Sequence, residues 1–311
     1  MKFLIQEKEK QMTKRSILHM FDPMPNNSPF DVNMALDCDF DVLVPYANVN
    51  PDSIHRLTQD VIFSRGPKGV KQTAIFIGGR DISVAIDMLK NAKKSMVPPF
   101  EVSVLADPSG AFTTAAALVA CVEKELRDKF NKELKDCKAL VFGGTGPVGI
   151  ATGVIASLAG ANTTLVDHFS SEEALSLAEE YNRLFECNLS GTIATFDEEK
   201  IKLIEDTDLI FCTAKAGIQI LSAEVLSHAK QLKVVGDVNA VPPAGIAGVQ
   251  VNDFGAPLEG TENAVAVGPL AVGNVKYKVQ HALLSSMLKS DKPVYLDFIA
   301  AFEKAKEILE S

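Results

Sequence analysis

The run Gly143-Gly144-Thr145-Gly146-Pro147-Val148-Gly149 constrains this chain more than any other segment. It follows the apolar stretch Ala139–Phe142, which reads as a buried strand. It precedes Ile150–Leu158, which reads as an apolar helix closed by Gly160. Glycines at 144, 146 and 149 therefore open a helix directly after a strand, the context that gives this spacing its meaning. There Gly144 permits a tight turn, Gly146 lets a pyrophosphate approach the backbone, and Gly149 lets helix and strand pack closely. Thr145, Pro147 and Val148 complete the loop, and the free N–H groups of the helix start suit a phosphate. The competing reading is a glycine-rich turn with no ligand.

The next strand, Thr163–Val166, ends at Asp167, 18 residues after Gly149. A carboxylate there accepts hydrogen bonds from adenosine ribose hydroxyls and repels a 2′-phosphate. No Lys or Arg occurs from Asp167 to Glu180, so NAD is favoured over NADP. His168 offers positive charge when protonated, which leaves NADP open as a second cofactor.

Further strands at Thr192–Thr195, Asp208–Thr213, Lys233–Val238 and Ala264–Val267 alternate with helical stretches such as Ser170–Phe185. That alternation predicts a Rossmann-type doubly wound parallel sheet over residues 128–275. Thr213-Ala214, Asp237 and Asn239 end its later strands, the usual place for contacts to a nicotinamide. Residues 1–127 predict a second α/β domain, with strands at Ser16–Met20, Asp41–Val44, Thr73–Ile77 and Val102–Ala106. Its helices are expected at Ile54–Thr58, Ile82–Lys94 and Thr113–Lys124, and Arg127–Lys138 reads as a linker or exposed helix end. Helices at Lys276–Leu288 and Tyr295–Leu309 can return to either domain, so 276–311 is a candidate addition to the first.

Composition removes several function classes. The chain has 311 residues and a net charge of −9, so no basic face is expected for nucleic acid or an anionic membrane. Five cysteines without CxxC spacing predict neither disulfides nor a zinc site, and so a reduced cytoplasmic protein. No apolar stretch reaches about 18 residues, and the first 15 or so residues read as an extension without a signal-peptide core.

Four segments in fixed order carry a family resemblance. They are Lys71-Gln-Thr-Ala-Ile-Phe-Ile-Gly-Gly79, Asp107-x-x-Gly110-x-x-Thr-Thr-Ala-Ala-Ala117, Gly144-Thr-Gly-Pro-Val-Gly149 and Asp237-Val-Asn-Ala-Val-Pro-Pro-Ala-Gly-Ile246. Together they resemble the bacterial methylene-tetrahydromethanopterin dehydrogenases of one-carbon metabolism, some of which also use methylene-tetrahydrofolate. The resemblance runs from about Phe21 to the end. It implies hydride transfer from the methylene carbon of a reduced pterin to a nicotinamide, in a cleft between two α/β domains of a homo-oligomer, a trimer among its forms. NADP-specific members carry Gly-Arg where this chain has Asp167-His168, which agrees with the lean toward NAD.

The resemblance also nominates residues for the cleft. Asp31 and Asp37 fall where the family looks acidic, and Phe30 can stack on the pterin; a solvated acidic loop is the alternative. Lys276 and Lys278 match a lysine pair near the cleft, or else lie on a solvated helix face. Asp31, Lys276 and Lys278 are the candidate catalytic residues. Asn48, in Tyr46-Ala-Asn-Val-Asn-Pro51, is a substrate contact or a turn cap. Lys71 and Gln72 contact substrate or sit at an exposed strand edge, and Asp107 and Thr113 contact substrate or cap a helix. No histidine has a partner pattern, and no metal is expected. Two other functions compete: a shikimate-type dehydrogenase, in which Lys71 and Asp107 supply an acid/base pair, and a nicotinamide-binding sensor without turnover.

Overall fold

The computed structural model describes residues 15–311. Apart from Arg15, the segment read as an extension lies outside the described residues. In chain order the elements are β1 (Ile17–Phe21), α1 (Pro29–Leu36), β2 (Val42–Tyr46), α2 (Ile54–Phe63), α3 (Gly66–Val70), β3 (Thr73–Ile77), α4 (Ile82–Lys94), β4 (Ser103–Ala106), α5 (Ala111–Phe130), β5 (Lys138–Phe142), α6 (Pro147–Leu158), β6 (Asn162–Asp167), α7 (Ser171–Phe185), β7 (Leu189–Ile193), α8 (Asp197–Ile204), β8 (Leu209–Cys212), α9 (Ala223–Leu226), β9 (Val234–Asp237), β10 (Phe254–Pro257), β11 (Val265–Val267), α10 (Pro269–Lys289), β12 (Tyr295–Leu296) and α11 (Phe298–Glu310).

These strands form two sheets. The first has the order β12-β4-β3-β1-β2 and is wholly parallel. The second has the order β10-β11-β9-β8-β5-β6-β7 and is parallel except where β10 meets β11. From β7 to β11 it follows the doubly wound Rossmann order expected from the sequence. Strands β3, β4, β8 and β9 are buried along their whole length, because helices cover both faces of each sheet.

Two long helices tie the sheets together. The small-residue run Ala115–Ala117 lets α5 approach β9 closely, and β9 makes room with Gly236. A Cβ at Gly236 would come within 2.6 Å of Leu118 Cδ1. α10 leaves the second sheet after β11 and packs on β3 and β4 of the first. One contiguous core therefore includes Leu18 and Ile75 of the first sheet together with Val141 and Phe211 of the second. A smaller core, including Phe142 and Ile210, fills the far side of the second sheet.

Some local expectations change. α5 runs on to Phe130 and ends at Asn131, whose φ of 50° is a left-handed cap, so Arg127 is helical. Tyr295 and Leu296 form a strand beside β4, and the last helix starts after the Asp297 cap, which accepts from Ile299 N at 2.9 Å. The segment from Phe30 is the helix α1. All five cysteines are free and four are buried. Among the described residues no helix is long and apolar enough to cross a membrane, and no cluster suits a metal.

Candidate active site

The glycine loop lies at the carboxyl end of β5, where the strand order of the second sheet reverses between β5 and β8. That reversal is where open α/β sheets bind ligands. Its glycines do different jobs. Gly143, with φ of +72°, makes the tight turn that the sequence reading gave to Gly144. Gly144 serves close packing instead: a Cβ there would lie 2.7 Å from Val141 O and 2.9 Å from Leu165 Cα. At Gly149 a Cβ would overlap the Gly143 carbonyl and lie 2.8 Å from Gly144 Cα. Gly146 is the exception. Its φ of −78° is ordinary, and a Cβ would meet only Gly143 O, at 3.5 Å. The protein itself does not need a glycine at 146, so the bare face there fits a ligand backbone such as a pyrophosphate. Pro147 opens α6, where a missing N–H costs nothing.

Asp167 is tied to that loop. Its Oδ1 accepts from Thr145 Oγ1 at 3.1 Å, and its Oδ2 from Ser170 N at 3.0 Å and Phe169 N at 3.3 Å. Burial pushes this carboxyl up, but the hydrogen bonds from the Ser170, His168 and Phe169 backbone and from Thr145 outweigh it and hold it below the usual range. It is a firm anion beside the glycine loop. His168 is 60% exposed, with Nδ1 3.5 Å from Asp167 Oδ1.

The residues after β8 and β9 divide. Thr213 Oγ1 donates to the Phe142 and Gly143 carbonyls at 3.0 and 3.2 Å, which pins the loop end, and Ala214 is half-buried beside it. Asp237 is fully buried and takes Asn239 N and Ile246 N, both at 2.9 Å. Asn239 Oδ1 accepts from Gly217 N and Val241 N, and its Nδ2 donates to Pro243 O. Both side chains hold the 239–246 loop. The buried Asp237 carboxylate is thus turned inward, whereas Asn239 uses one of its two Nδ2 hydrogens on Pro243 O and lines a neighbouring cavity.

The first sheet builds a second polar site at its own switch point, between β1 and β3. Asp22 follows β1 and is 4% exposed, and its Oδ1 accepts from Met24 N at 2.8 Å. Gly78, after β3, has no Cβ because one would sit 2.6 Å from Asp22 Oδ2. Asp31 on α1 is also 4% exposed. Asp107, after β4, is fully buried and accepts from Thr113 Oγ1 at 2.6 Å, Thr113 N at 3.1 Å and Phe112 N at 3.0 Å. Lys276 from α10 packs over Gly110, with its Nζ 3.7 Å from the centre of the Phe30 ring. A relay joins these groups: Lys276 Nζ donates to Gln280 Oε1 at 2.7 Å, and Gln280 Nε2 donates to Asp31 Oδ1 at 2.8 Å.

The charges are strongly coupled. Burial, then the nearby Asp107 charge, pushes the Asp31 carboxyl up to about 7 against the pull of Gln280 and Lys276. Burial also raises Asp22 and Asp107, and lowers Lys276 against the pull of Asp107 and Asp31. A cavity of about 360 Å³ opens onto Asp22, Asp31, Arg80 and Ser109. The cavity thus carries the carboxyls of Asp22 and Asp31 and the guanidinium of Arg80, with Asp107 and Lys276 behind them; carboxylates so placed can stabilise a group that gains positive charge.

Other nominated residues lie elsewhere. Lys278 is exposed, because residues two apart on a helix face different ways. Asp37 caps the far end of α1 and is exposed. Lys71 and Gln72 precede β3, at the opposite end of the strand from Gly78, and the Gln72 carbonyl accepts from Ile17 N. The structure thus removes Lys278, Asp37, Lys71 and Gln72 from the cluster. It also separates Lys71 from Asp107, so the shikimate-type pair does not form. Asn48 is exposed at a φ of 54°, and its N–H reaches Met24 O at the cavity rim. Substitution of Lys71 or Lys278 by Ala is expected to leave kcat/KM within about twofold, as measured by steady-state kinetics; exposed sites rarely matter more.

Comparison with known proteins agrees with this geometry. Residues 29–109 match the family model for the N-terminal part of methylene-tetrahydromethanopterin dehydrogenase. The chain is 46% identical, over 94% of its length and 99% of the relative, to the NAD(P)-dependent methylenetetrahydromethanopterin dehydrogenase of Methylorubrum extorquens. The chain belongs to the methylenetetrahydromethanopterin dehydrogenase family. A second protein of the same organism, bifunctional protein MdtA, is 30% identical over the same share of this chain. In fold, the chain is similar to shikimate 5-dehydrogenase of Listeria monocytogenes, at a TM-score of 0.53, 14% identity and coverage of 95% and 96% of the two chains.

Within this dehydrogenase family framework, the sequence reading missed Asp22, Arg80, Ser109 and Gln280. Asp22 was recoverable, since it is the first residue beyond β1 and strand carboxyl ends face the ligand. Gln280 carried no local signal, as its partner Asp31 is 249 positions away.

Proposed function

We propose that this chain oxidises the methylene group of methylene-tetrahydromethanopterin to the methenyl cation, with NAD favoured over NADP. The observation that carries this reading is the 46% identity across nearly the whole chain with a relative named for that activity. In this reading residues 128–275 hold the dinucleotide, and residues 1–127 with 276–311 hold the pterin. The enzyme works in the cytoplasm as a homo-oligomer.

The chemistry supplied by the bound nicotinamide is hydride acceptance at C4. Hydride loss leaves positive charge shared over two pterin nitrogens, so the protein need not move a proton. Its task is to position the methylene carbon and to tolerate the cation. Asp31 and Asp107 supply the negative charge that such a product needs. Lys276 keeps the two from lying buried without a counter-charge. Of its three N–H donors, one goes to Gln280, which leaves capacity for a carbonyl of the substrate. Phe30, half exposed beside Lys276, offers a face for the pterin ring.

The test is a spectroscopic assay of purified protein with methylene-tetrahydromethanopterin or methylene-tetrahydrofolate and either NAD or NADP. Turnover with the methanopterin substrate is expected. Absence of turnover on both carriers with both cofactors overturns the proposal. Cofactor choice has its own test. Asp167→Gly with His168→Arg is expected to shift the NADP/NAD ratio of kcat/KM by at least about tenfold toward NADP, since a repelling anion is replaced by a fork-shaped cation. An unchanged ratio rejects Asp167 as the ribose acid.

A further inference from the structure

Phe169 and Phe196 are the most solvent-exposed large apolar side chains among the described residues, at 80% and 66%. Leaving a phenyl in water forfeits the gain of burying it, and the loops that carry these two are bonded to each other. Asp167 and Ile193 are paired in register at the ends of β6 and β7. Beyond them, Ala194 N donates to Asp167 O at 2.9 Å, and Thr195 Oγ1 donates to His168 O at 2.8 Å. The loops bearing the two rings are thus fastened side by side without any ligand. Phe196 also breaks a local rule. It is the N-cap of α8, where Ser, Thr, Asp or Asn would accept a free helix N–H. Glu199 Oε2 supplies its half of the cap by accepting from Thr195 N at 2.8 Å and Phe196 N at 3.0 Å. A phenyl ring has no oxygen with which to answer. A residue kept against local preference points to a functional demand.

We propose that Phe169 and Phe196 form the adenine-binding wall of the dinucleotide site, with Phe169 stacking on the base and Phe196 closing its edge. This rests on the dinucleotide reading of the Gly146 loop and Asp167. The base attached to a ribose held by Asp167 must lie within a few ångströms of that carboxylate. Phe169 is two residues from it, and the Phe196 loop is bonded to its backbone. A flat heteroaromatic base recovers the apolar surface of both rings, and stacking needs no hydrogen-bonding group from either.

Calorimetric titration with ADP-ribose and with nicotinamide mononucleotide tests the wall. Phe169→Ala is expected to weaken ADP-ribose binding about 5- to 100-fold, the range for loss of one stacking partner, and Phe196→Ser to weaken it by a smaller factor of at least about threefold, since an edge contact buries only part of the ring. Nicotinamide mononucleotide binding is expected to stay unchanged. Phe196→Ser also supplies the missing cap, so its urea midpoint is expected to hold or rise while affinity falls. A lowered midpoint accompanying the weaker binding means a structural role and overturns the proposal for Phe196. The chain contains no tryptophan, so Phe169→Trp provides a single reporter whose fluorescence should change with ADP-ribose and not with the mononucleotide. Wild-type ADP-ribose affinity in both variants overturns the wall while leaving the dinucleotide reading intact. Failure of the wild-type protein to bind ADP-ribose or NAD overturns both.

Discussion

Asp31→Asn is expected to lower kcat for methylene oxidation about 100-fold, comparable to the loss of one electrostatic stabiliser in other active sites, while making the protein more stable at pH 8. The two effects share a cause. Burial and the neighbouring Asp107 push the Asp31 carboxyl up to about 7. In the unfolded chain it ionises near 4. Its contribution to stability is therefore complete below pH 4 and is lost as pH rises toward 7, because only the unfolded state releases the proton over that window. Asparagine never ionises, yet its Oδ1 can still accept from Gln280. Urea denaturation should show Asp31→Asn gaining about 2–4 kcal/mol on wild type at pH 8 and little at pH 4. In the wild type, kcat should climb with pH through about 7 as the carboxylate forms, and in the variant this rise should vanish. A variant that keeps the wild-type rate and profile would remove Asp31 from the chemistry.

The second large effect separates two glycines of one motif. Gly146→Ala should leave the melting temperature nearly unchanged, since its Cβ meets nothing closer than 3.5 Å and its backbone is ordinary. NAD binding, however, should weaken at least about tenfold, which corresponds to about 1.4 kcal/mol, because the methyl fills the gap left for the phosphates. Gly149→Ala should do the reverse in order of cause. Its Cβ would strike the Gly143 carbonyl, Gly144 Cα and Thr213 Oγ1, so α6 must move off β5. A loss of about 3 kcal/mol or more is expected, in the range of severe overpacking, visible in a thermal melt without any ligand. Equal melting temperatures in the two variants would contradict this division.

How much of this was legible in the sequence depended on whether the deciding contact was local. The helix at Ile82–Lys94 is legible to the residue, because its apolar positions Ile82, Ala85, Ile86, Leu89 and Ala92 share one face. The strand, glycine loop and helix around residue 144 were read for the same reason. β12 falls where the sequence predicts helix, since two residues adding to a sheet edge leave no periodicity. α1 reads equally as an acidic loop because Asp31 occupies its buried face, beside Met34 and Ala35, where an apolar residue is expected. Lys276 and Lys278 were indistinguishable until the packing of α10 showed which side faces the carboxylates. The two readings of Lys71 turn on strand direction, which has no local signal: Lys71 precedes β3, and the carboxyl end of a parallel strand is the one that faces a ligand.

α10 turns that packing into a ruler. It begins at Pro269, directly beyond β11 in the Rossmann sheet, and delivers Lys276 to the carboxylates of the other sheet seven residues later. Seven residues of helix measure about 10 Å. A single unbroken rod, with its far end locked into the same core as α5, fixes that gauge when the chain folds. The distance from the end of β11 to the carboxylate cluster is thus a built-in dimension of the polypeptide, and changing it would mean adding or deleting helical residues between Pro269 and Lys276.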